Sequence, residues 1–288
     1  MTFDFDWVDA FSDCAFGGNG CAVVHDFGDV SEAVACAFVR ETSLVECTFT
    51  GPSDRADVRV RYFLARQEIP FAGHPTIATV AAMRRRGLIS DGRTLLETGA
   101  GLVPVDVQGA RVTMTQVAPK FGARLDPQMV ADVGGLSADD LAAPPQVVST
   151  GLPFVIALLR DAEAVRRARL DVEALARLQD VVGSDVMEPF WATLSGVPEG
   201  DTFARLLLPP PNPPEDPFTG SATGALGGYL WANGLLDTPD FTAAQGHDMG
   251  RPGTAQVHVL GPRDAITGVE VTGTGFVLMS GTVDLPHG

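Results

Sequence analysis

Alternating apolar and polar residues predict many short β-strands along this chain. In residues 57–64, two valines and a tyrosine alternate with two arginines, the pattern of a strand with one buried face. Apolar residues at helical spacing predict one long helix over residues 161–178 and a shorter one over residues 29–40, with Asp29 as its N-cap. Further strands are predicted at residues 5–11, 21–24, 43–50, 95–97, 101–107, 111–116, 146–159, 190–194, 203–208, 256–260, 268–272 and 276–285.

One short stretch of the chain occurs twice. Residues 68–76 read Glu-Ile-Pro-Phe-Ala-Gly-His-Pro-Thr, and residues 215–223 read Glu-Asp-Pro-Phe-Thr-Gly-Ser-Ala-Thr, an offset of 147 positions. Each copy continues into a predicted helix rich in small residues, over residues 76–86 and 223–233. A Gly-Leu pair follows each helix, and a glycine in the left-handed conformation is a common helix end. The pattern therefore predicts a duplicated unit of strand, turn, helix and stop.

The turn of the duplicated unit has a possible chemical use. Gly73 and Gly220 allow close approach of a ligand to the backbone, and the first N–H groups of a helix have no partner inside the helix. Such a helix start favours a carboxylate or a developing negative charge. His74 and Ser221 occupy the twin positions that follow the glycines. We expect the two turns to face one cleft and hold one small acid; the alternative is two turns that merely begin helices.

The chain divides into two halves of similar order. Residues 118–128 contain two prolines and Lys120 and show no clear periodicity, which predicts a linker there. The predicted domains are residues 1–120 and residues 121–288, and the final β segment could pack back on the first domain. Each half has about six short strands and one Ala- and Gly-rich helix, which fits closely inside a curved sheet. The predicted fold is therefore α+β with two pseudo-symmetric domains, each a barrel-like sheet around a central helix.

Composition narrows the function and the location. The 288 residues are 45% apolar and carry a net charge of −16, which argues against nucleic acid and anionic membrane surfaces as partners. No basic segment followed by an apolar run opens the sequence, and no stretch approaches about 18 uninterrupted apolar residues. We therefore expect no secretion signal and no membrane span, and a cytoplasmic location.

Neither a cofactor nor a metal is expected. Lys120 is the sole lysine, which disfavours Schiff-base chemistry, and no phosphate-binding loop of the Gly-x-x-x-x-Gly-Lys type occurs. The histidines other than His74 show no ligand spacing and lie at His25, His247, His258 and His287. The cysteines lack a Cys-x-x-Cys pair, are expected to be buried reduced thiols, and lie at Cys14, Cys21, Cys36 and Cys47.

Four motifs give the chain a family resemblance. They are Gly17-Gly18-Asn19, the run Leu-Val-Glu-Cys-Thr-Phe at residues 44–49, and the duplicated stretches. With them the chain resembles the phenazine-biosynthesis isomerase-like (PhzF-like) family, which has the diaminopimelate epimerase fold. The resemblance runs nearly end to end and includes Gly250-Arg251-Pro252 and the final β segment. It implies an active site between two pseudo-symmetric domains, proton transfer without a cofactor, and a homodimer.

The resemblance also implies roles for individual residues. The family's acid/base glutamate falls on Glu46, and its histidine, aspartate and serine fall on His74, Asp216 and Ser221. Asn19, Gly73 and Gly220 are predicted to bind substrate. The family often has Gly-Asn-Pro near its start and Ser-Glu-Thr-Thr around the glutamate, whereas this chain has Gly-Asn-Gly and Val-Glu-Cys-Thr. Both departures flank the site, so they bear on the identity of the substrate.

The residues themselves leave alternatives open. Glu46 lies in an apolar run, where burial raises the pKa of a carboxyl group toward that of a useful acid and base; the alternative is a strand-edge glutamate that faces water. Asp216 could hold a substrate amine or hydroxyl, or could be a turn residue. His74 could donate to a carboxylate or enolate oxygen, or only cap a helix. Ser221 is by type an ordinary N-cap residue.

Three functions are compatible with these residues. The first is an isomerase that moves a proton on a small unsaturated or cyclic carboxylic acid. The second is an epimerase with Glu46 as one of two bases, and the third is a small-acid-binding protein without turnover. A racemase with one thiol from each half is excluded, because the twin positions hold His74 and Ser221 and no cysteine follows Cys47.

Overall fold

The computed structural model describes residues 1–26, 30–194, 196–210 and 212–286. Its contacts divide the chain into two units: unit 1 comprises Met1–Met114 and Thr272–Gly288, and unit 2 comprises Thr115–Val271. The change of unit falls inside a strand, a few residues before the predicted boundary at residue 120, and the last β segment belongs to unit 1. Strands predominate and helices connect them, so the predicted α+β class is confirmed.

The N-terminal segment carries strands and helices in the order β1 (Thr2–Ala10), β2 (Asn19–Val24), α1 (Glu32–Thr42), β3 (Cys47–Gly51), β4 (Val58–Phe63), β5 (Glu68–Ile69), α2 (Gly73–Arg85), β6 (Gly92–Thr98), β7 (Gly101–Gln108) and β8 (Arg111–Val117). The remaining elements are β9 (Lys120–Arg124), α3 (Pro127–Val133), β10 (Gln146–Ser149), β11 (Pro153–Leu158), α4 (Ala162–Arg167), α5 (Val172–Val182), β12 (Met187–Thr193), β13 (Thr202–Leu207), β14 (Glu215–Asp216), α6 (Gly220–Ala232), β15 (Asp240–Gln245), β16 (Gly253–Leu260) and β17 (Gly268–Asp284).

The strands of unit 1 form a closed barrel. β1 pairs with β17 on one side and β2 on the other, and the order continues through β3, β4, β6 and β7 to β8. β8 pairs in turn with β17 and closes a ring of eight strands. The pairs β2–β3 and β4–β6 are parallel, so each needs a crossover connection, which α1 and α2 supply.

Helix α2 is the central helix of unit 1. The side chains from His74 to Val80 are all buried, which fits a helix surrounded by strands. Helix α1 instead buries one face, where Ala35, Cys36 and Val39 pack against the core of β2 and β3. It begins at Glu32, and the Ser31 hydroxyl accepts the Val34 N–H at 3.4 Å. The predicted cap Asp29 lies outside the described residues.

Helix α6 takes the corresponding place in unit 2. Nearly every residue from Gly220 to Leu230 is buried, and α6 crosses over between strands β13 and β15, which pair in parallel. A Cβ at Gly227 would lie 3.1 Å from the Val257 side chain and 3.3 Å from the Phe241 ring. Larger side chains would therefore push the helix off the sheet, which explains the small residues of this segment.

The two central helices end in the same way. Each has 13 residues. The following glycines, Gly87 and Gly234, have φ of 72° and 68°. The leucine after each glycine donates its N–H to a carbonyl five residues earlier, at 2.9 and 3.0 Å. The duplicated unit of strand, turn, helix and glycine stop is thus confirmed.

Three local predictions about unit 2 are wrong or incomplete. The helix expected over residues 161–178 is two helices, α4 and α5, with Asp161 and Asp171 as separate N-caps. The apolar spacing continued across the break because both helices pack on one core. Lys120, expected in a linker, lies in strand β9, and strand β15 was not predicted.

Candidate active site

Both central helices begin without a side-chain cap. The N-cap residues are Ala72 before α2 and Thr219 before α6, and neither side chain bonds to its helix. The N-cap side chains thus do not satisfy the first N–H groups of these helices, and a helix start of this kind favours an anion. Ser221 was expected to be an N-cap residue by type, but it is the second residue of α6, as His74 is of α2.

A cluster of three polar side chains lies at the start of α2 in unit 1. The Asn19 Nδ2 atom, from the first residue of β2, lies 3.2 Å from Nδ1 of His74. The Glu46 Oε2 atom lies 3.6 Å from the same nitrogen. Glu46 immediately precedes β3, so the parallel pairing of β2 and β3 brings it beside Asn19 and His74. Its side chain is 17% exposed, so it is largely buried and only its edge reaches water.

His74 is a neutral histidine at physiological pH. Burial lowers its pKa to about 3, and the backbone carbonyl of Gly20, which acts in the opposite direction, does not offset this. The Glu46 carboxylate also favours the protonated ring, but the ring is buried whereas the carboxylate still reaches solvent. If the Asn19 amide donates to Nδ1, the neutral ring carries its proton on Nε2. That Nε2 atom is buried without a hydrogen-bond partner among the described residues, so it is available to a ligand.

The cysteines near this cluster are unreactive. Burial raises the pKa of Cys47 to about 12 and that of Cys21 well above its ordinary value. Cys21 also lies 3.2 Å from the Thr48 hydroxyl, as expected of a structural thiol. Cys14 is exposed, so the expectation of buried thiols is wrong at that position.

In unit 2 the corresponding turn holds a buried carboxylate. Asp216 is the last residue of β14, and its Oδ2 atom accepts a hydrogen bond from the Thr219 hydroxyl at 2.5 Å. The Gln245 side chain contacts both residues. The prediction included Asp216, Gly220 and Ser221 and missed Thr219 and Gln245. Comparison of β15 with its twin strand at the same offset of 147 could have found Gln245.

Two further residues of unit 2 fix the start of α6. Gln116 donates from Nε2 to the Gly220 carbonyl at 2.9 Å, and Thr150 donates to Gln116 Oε1 at 2.5 Å. Thr150 also lies 3.4 Å from the Ser221 carbonyl. Ser221 is half-buried at this end of the helix. The predicted site residues thus gather into one group in each unit, and their convergence on one cleft stays a prediction.

The remaining histidines have separate surroundings. His25 pairs with Asp6 at 2.8 Å, and His258 pairs with Asp240 at 2.7 Å. His247 lies near Glu199, and His287 lies outside the described residues. Over the described ranges, no three His, Cys, Asp or Glu side chains are grouped so as to hold a metal ion. Within the same ranges, none of the helices has the length and apolar character needed to cross a membrane.

Comparisons with known proteins bear on this site. The family model described as phenazine biosynthesis-like protein matches residues 8–281. The uncharacterised isomerase YddE of Salmonella typhimurium is 30% identical over 290 residues, 94% of this chain and 95% of that relative. The trans-2,3-dihydro-3-hydroxyanthranilate isomerase of Pseudomonas chlororaphis is 29% identical over 288 residues, 96% of this chain and 98% of that relative. A solved structure described as a predicted epimerase from Pseudomonas aeruginosa has a TM-score of 0.81 and 30% identity, with coverage of 98% of this chain and 99% of that one.

Proposed function

Because this chain belongs to the PhzC-PhzF family of phenazine biosynthesis-like proteins, we propose that it is an isomerase that transfers a proton on a small unsaturated or cyclic carboxylic acid and needs no cofactor for that step. One observation carries the proposal. The Glu46 carboxylate lies beside the neutral, buried His74 at an uncapped helix start. This arrangement combines a base with groups that can stabilise negative charge on the substrate.

Glu46 is proposed to move the proton. Its carboxylate takes a proton from one carbon of the substrate, and the resulting carboxylic acid returns that proton to another carbon, so the net reaction is an isomerisation. As the first carbon loses its proton, negative charge develops on the conjugated carboxylate of the substrate. The His74 Nε2–H and the first N–H groups of α2 are suited to donate to those oxygens.

The turn of unit 2 is proposed to bind the substrate. Asp216 is a buried hydrogen-bond acceptor and suits an amine or a hydroxyl group. The uncapped start of α6, at Gly220 and Ser221, suits a carboxylate. Such local anion-binding groups are needed because the chain as a whole carries a net charge of −16, which repels an anionic substrate.

The substrate class follows from these groups and from one relative. The acid named in the Pseudomonas chlororaphis relative carries a carboxylate, an amine and a hydroxyl on an unsaturated ring, and the relative is named an isomerase of it. We propose a substrate of this class for the present chain. Gly20, Val45 and Cys47 depart from the common family pattern beside Asn19 and Glu46, and these departures favour a substrate of different shape.

An epimerase of a small carboxylic acid is the second candidate. It is favoured by the presence of two buried or half-buried carboxylates, Glu46 and Asp216, since inversion at a carbon needs a base on each face. The solved structure described as a predicted epimerase points in the same direction.

Solvent exchange separates the candidates. The protein is incubated in D2O with trans-2,3-dihydro-3-hydroxyanthranilate and with a panel of small acids first selected by thermal shift. An isomerase shifts the unsaturation, and deuterium enters the product to the extent that the Glu46 proton exchanges with solvent before its return. An epimerase incorporates deuterium at a stereocentre with inversion. Thermal stabilisation without exchange and without conversion would contradict both enzymatic proposals and favour a binding protein.

We also propose that the residues of both units act on one substrate molecule. Calorimetric titration of the selected acid should then give one site per chain, and Asp216→Asn and Glu46→Gln should alter the same binding event. Two independent sites per chain would contradict this. The expected homodimer is tested by sedimentation equilibrium, and the expected cytoplasmic location by cell fractionation.

A further inference from the structure

The two units share one framework around their turns beyond the duplicated sequence. Strand β6 pairs in parallel with β4, and strand β15 pairs in parallel with β13. The residues after these strands are Gly99 and Gly246, which are again 147 positions apart. A Cβ at Gly99 would lie 2.9 Å from Cα of Pro70, and one at Gly246 would lie 2.6 Å from the Pro217 carbonyl oxygen. In each unit, therefore, the end of the corresponding strand packs against the corresponding proline of the turn.

On this shared framework, three twin positions differ in the same sense. In unit 1 the side chains at these positions make no hydrogen bond within the turn, whereas in unit 2 they do. The pairs, with the unit 1 residue first, are Ile69 and Asp216, Ala72 and Thr219, and Thr98 and Gln245. The Thr98 hydroxyl is used in its own local turn, where it contacts the Gly101 carbonyl and the Ala100 N–H. Unit 1 forms its turn and its 13-residue helix without these polar groups. Folding of the turn therefore does not require them.

The hydrogen bonds in unit 2 have a fixed direction. Gln245 Oε1 accepts the Thr219 N–H at 3.0 Å, and Gln245 Nε2 donates to the Asp216 carbonyl at 2.7 Å, so the orientation of the amide is determined. Nε2 also donates to the Thr219 hydroxyl at 3.2 Å. The hydroxyl has one proton, which goes to Asp216 Oδ2 at 2.5 Å. All three side chains are buried, so water does not compete for these bonds.

We propose that Thr219 and Gln245 are positioning residues that hold the Asp216 carboxylate ionised and in one orientation for a substrate amine or hydroxyl. The inference rests on the proposed function of Asp216. A carboxylate that receives a hydrogen bond is stabilised in its charged form, and a side chain held by the turn keeps one rotamer. Burial of a charge and an amide is costly unless every bond is made. Since the twin turn avoids that cost, the polar groups of unit 2 serve the carboxylate.

The test uses variants that remove the hydrogen bonds of one side chain at a time. Thr219→Val keeps the shape and removes the hydroxyl, Thr219→Ser restores it, and Gln245→Leu removes the amide. The matched control is Thr242→Val in the same unit, which removes another Thr–Gln hydrogen bond, to Gln256 at 3.0 Å. The probe is trans-2,3-dihydro-3-hydroxyanthranilate, or the acid selected by thermal shift if that compound does not bind.

The expected result is a split between binding and turnover. Thr219→Val should raise KM about tenfold or more and change kcat less, because a hydrogen bond to a charged group is lost. Gln245→Leu should act in the same direction, because it removes the bonds that hold Thr219 and the Asp216 backbone in place. Thr219→Ser and Thr242→Val should stay close to the wild type. Thr219→Val should add little to Asp216→Asn, since it acts through Asp216. An unchanged KM in Thr219→Val, or full additivity with Asp216→Asn, would overturn the proposal.

A second measurement needs no substrate. The ¹³C resonance of the Asp216 carboxyl group, assigned by its loss in Asp216→Asn, should titrate at higher pH in Thr219→Val than in the wild type or in Thr219→Ser. An unchanged titration in Thr219→Val would refute the positioning role even where no acid is turned over. Conversely, the titration could shift in a protein that neither binds nor converts any acid. That result would support the positioning role of Thr219 and contradict the proposed function.

Discussion

His74 Nδ1 lies 3.6 Å from Glu46 Oε2, yet the two groups do not form an ion pair at neutral pH. Burial keeps the imidazole neutral, and the Asn19 amide occupies the position of a donor to Nδ1. The Glu46 carboxylate therefore has no cation on this histidine to stabilise its charge. An imidazolium at this distance would favour the charged carboxylate, whereas the neutral ring does not, which suits Glu46 to its proposed role as the base.

Replacement of Glu46 by glutamine should abolish most of the turnover. Glutamine keeps the shape of the side chain but cannot accept a proton, and acid/base catalysis contributes roughly two to four orders of magnitude in rate. We expect Glu46→Gln to lower kcat by about that factor while the acid still binds in a calorimetric titration. Glu41→Gln, at an exposed position on α1, is the matched control and should be fully active.

The outcome for Asp216 completes this test. Asp216→Asn should weaken binding at least as much as it slows turnover, because its proposed task is to hold a polar group. Full activity in Glu46→Gln would refute the assigned mechanism. Equal loss of binding in both variants would make Glu46 a binding residue and leave the base unidentified.

The neutral state of His74 predicts a pH dependence of stability. The pKa of His74 is about 3 when folded, against an ordinary value of about 6.5, so between these values the unfolded chain binds a proton that the folded chain does not. The free energy of unfolding should therefore fall as pH drops below about 6.5, by up to about 1.4 kcal/mol per pH unit for this group. Above that pH the contribution of His74 is fully present.

Denaturant unfolding between pH 5 and pH 7.5 measures this effect. His25 contributes in the same direction, because burial lowers its pKa and outweighs the opposing hydrogen bond with Asp6. His74→Gln and His25→Gln should each reduce the slope, and the double variant should reduce it most. A His74 ring that titrates near pH 6.5 in an NMR experiment would contradict the prediction. The contact between His74 and Glu46 would then be a salt bridge at lower pH.

Much of the framework could be predicted from the duplication alone. The offset of 147 located both turns, both central helices and both terminal glycines, because small residues and glycine stops are local signals that tertiary contacts do not override. The same offset extends to Gly99 and Gly246, which no local signal marks as important. Their role depends on contact with a proline elsewhere in the chain, and such a contact leaves no local pattern.

Other features could not be obtained from periodicity. The break between α4 and α5 is set by the caps Asp161 and Asp171, whose side chains accept N–H groups at 2.8 and 2.9 Å, while the apolar spacing runs through both helices. The proximity of Glu46 and His74 depends on the parallel pairing of β2 and β3. The sequence alone suggested each residue, whereas their separation required the fold.

The twin ion pairs of the two turns should differ in strength. Arg61 donates two hydrogen bonds to Glu68, and Arg205 donates two to Glu215. The Arg205–Glu215 side chains are 12% and 11% exposed, against 20% and 34% for the other pair. Removal of one charge costs more where its partner is less hydrated. We expect Glu215→Gln to lower the free energy of unfolding by about 2–4 kcal/mol and Glu68→Gln by about 1 kcal/mol or less.

Denaturant unfolding of both variants at pH 7 tests that difference. Each replaces a carboxylate with an amide of the same shape, so each serves as the control for the other. Equal losses would show that the pairs contribute through the turns they close and not through burial of the charge.

Two glycines with the same backbone conformation should respond differently to alanine. Gly87 has φ of 72°, and no atom lies within 4 Å of the position of a Cβ. Gly246 has φ of 80°, and a Cβ there would lie 2.6 Å from the Pro217 carbonyl oxygen. Gly87→Ala should cost only the left-handed conformation, about 1–2 kcal/mol of unfolding free energy. Gly246→Ala adds a backbone clash to the same conformational strain, so it should lower the free energy of unfolding at least twice as much. Thermal and denaturant unfolding of both variants give the comparison, and equal losses would mean that the end of β15 can move away from the turn.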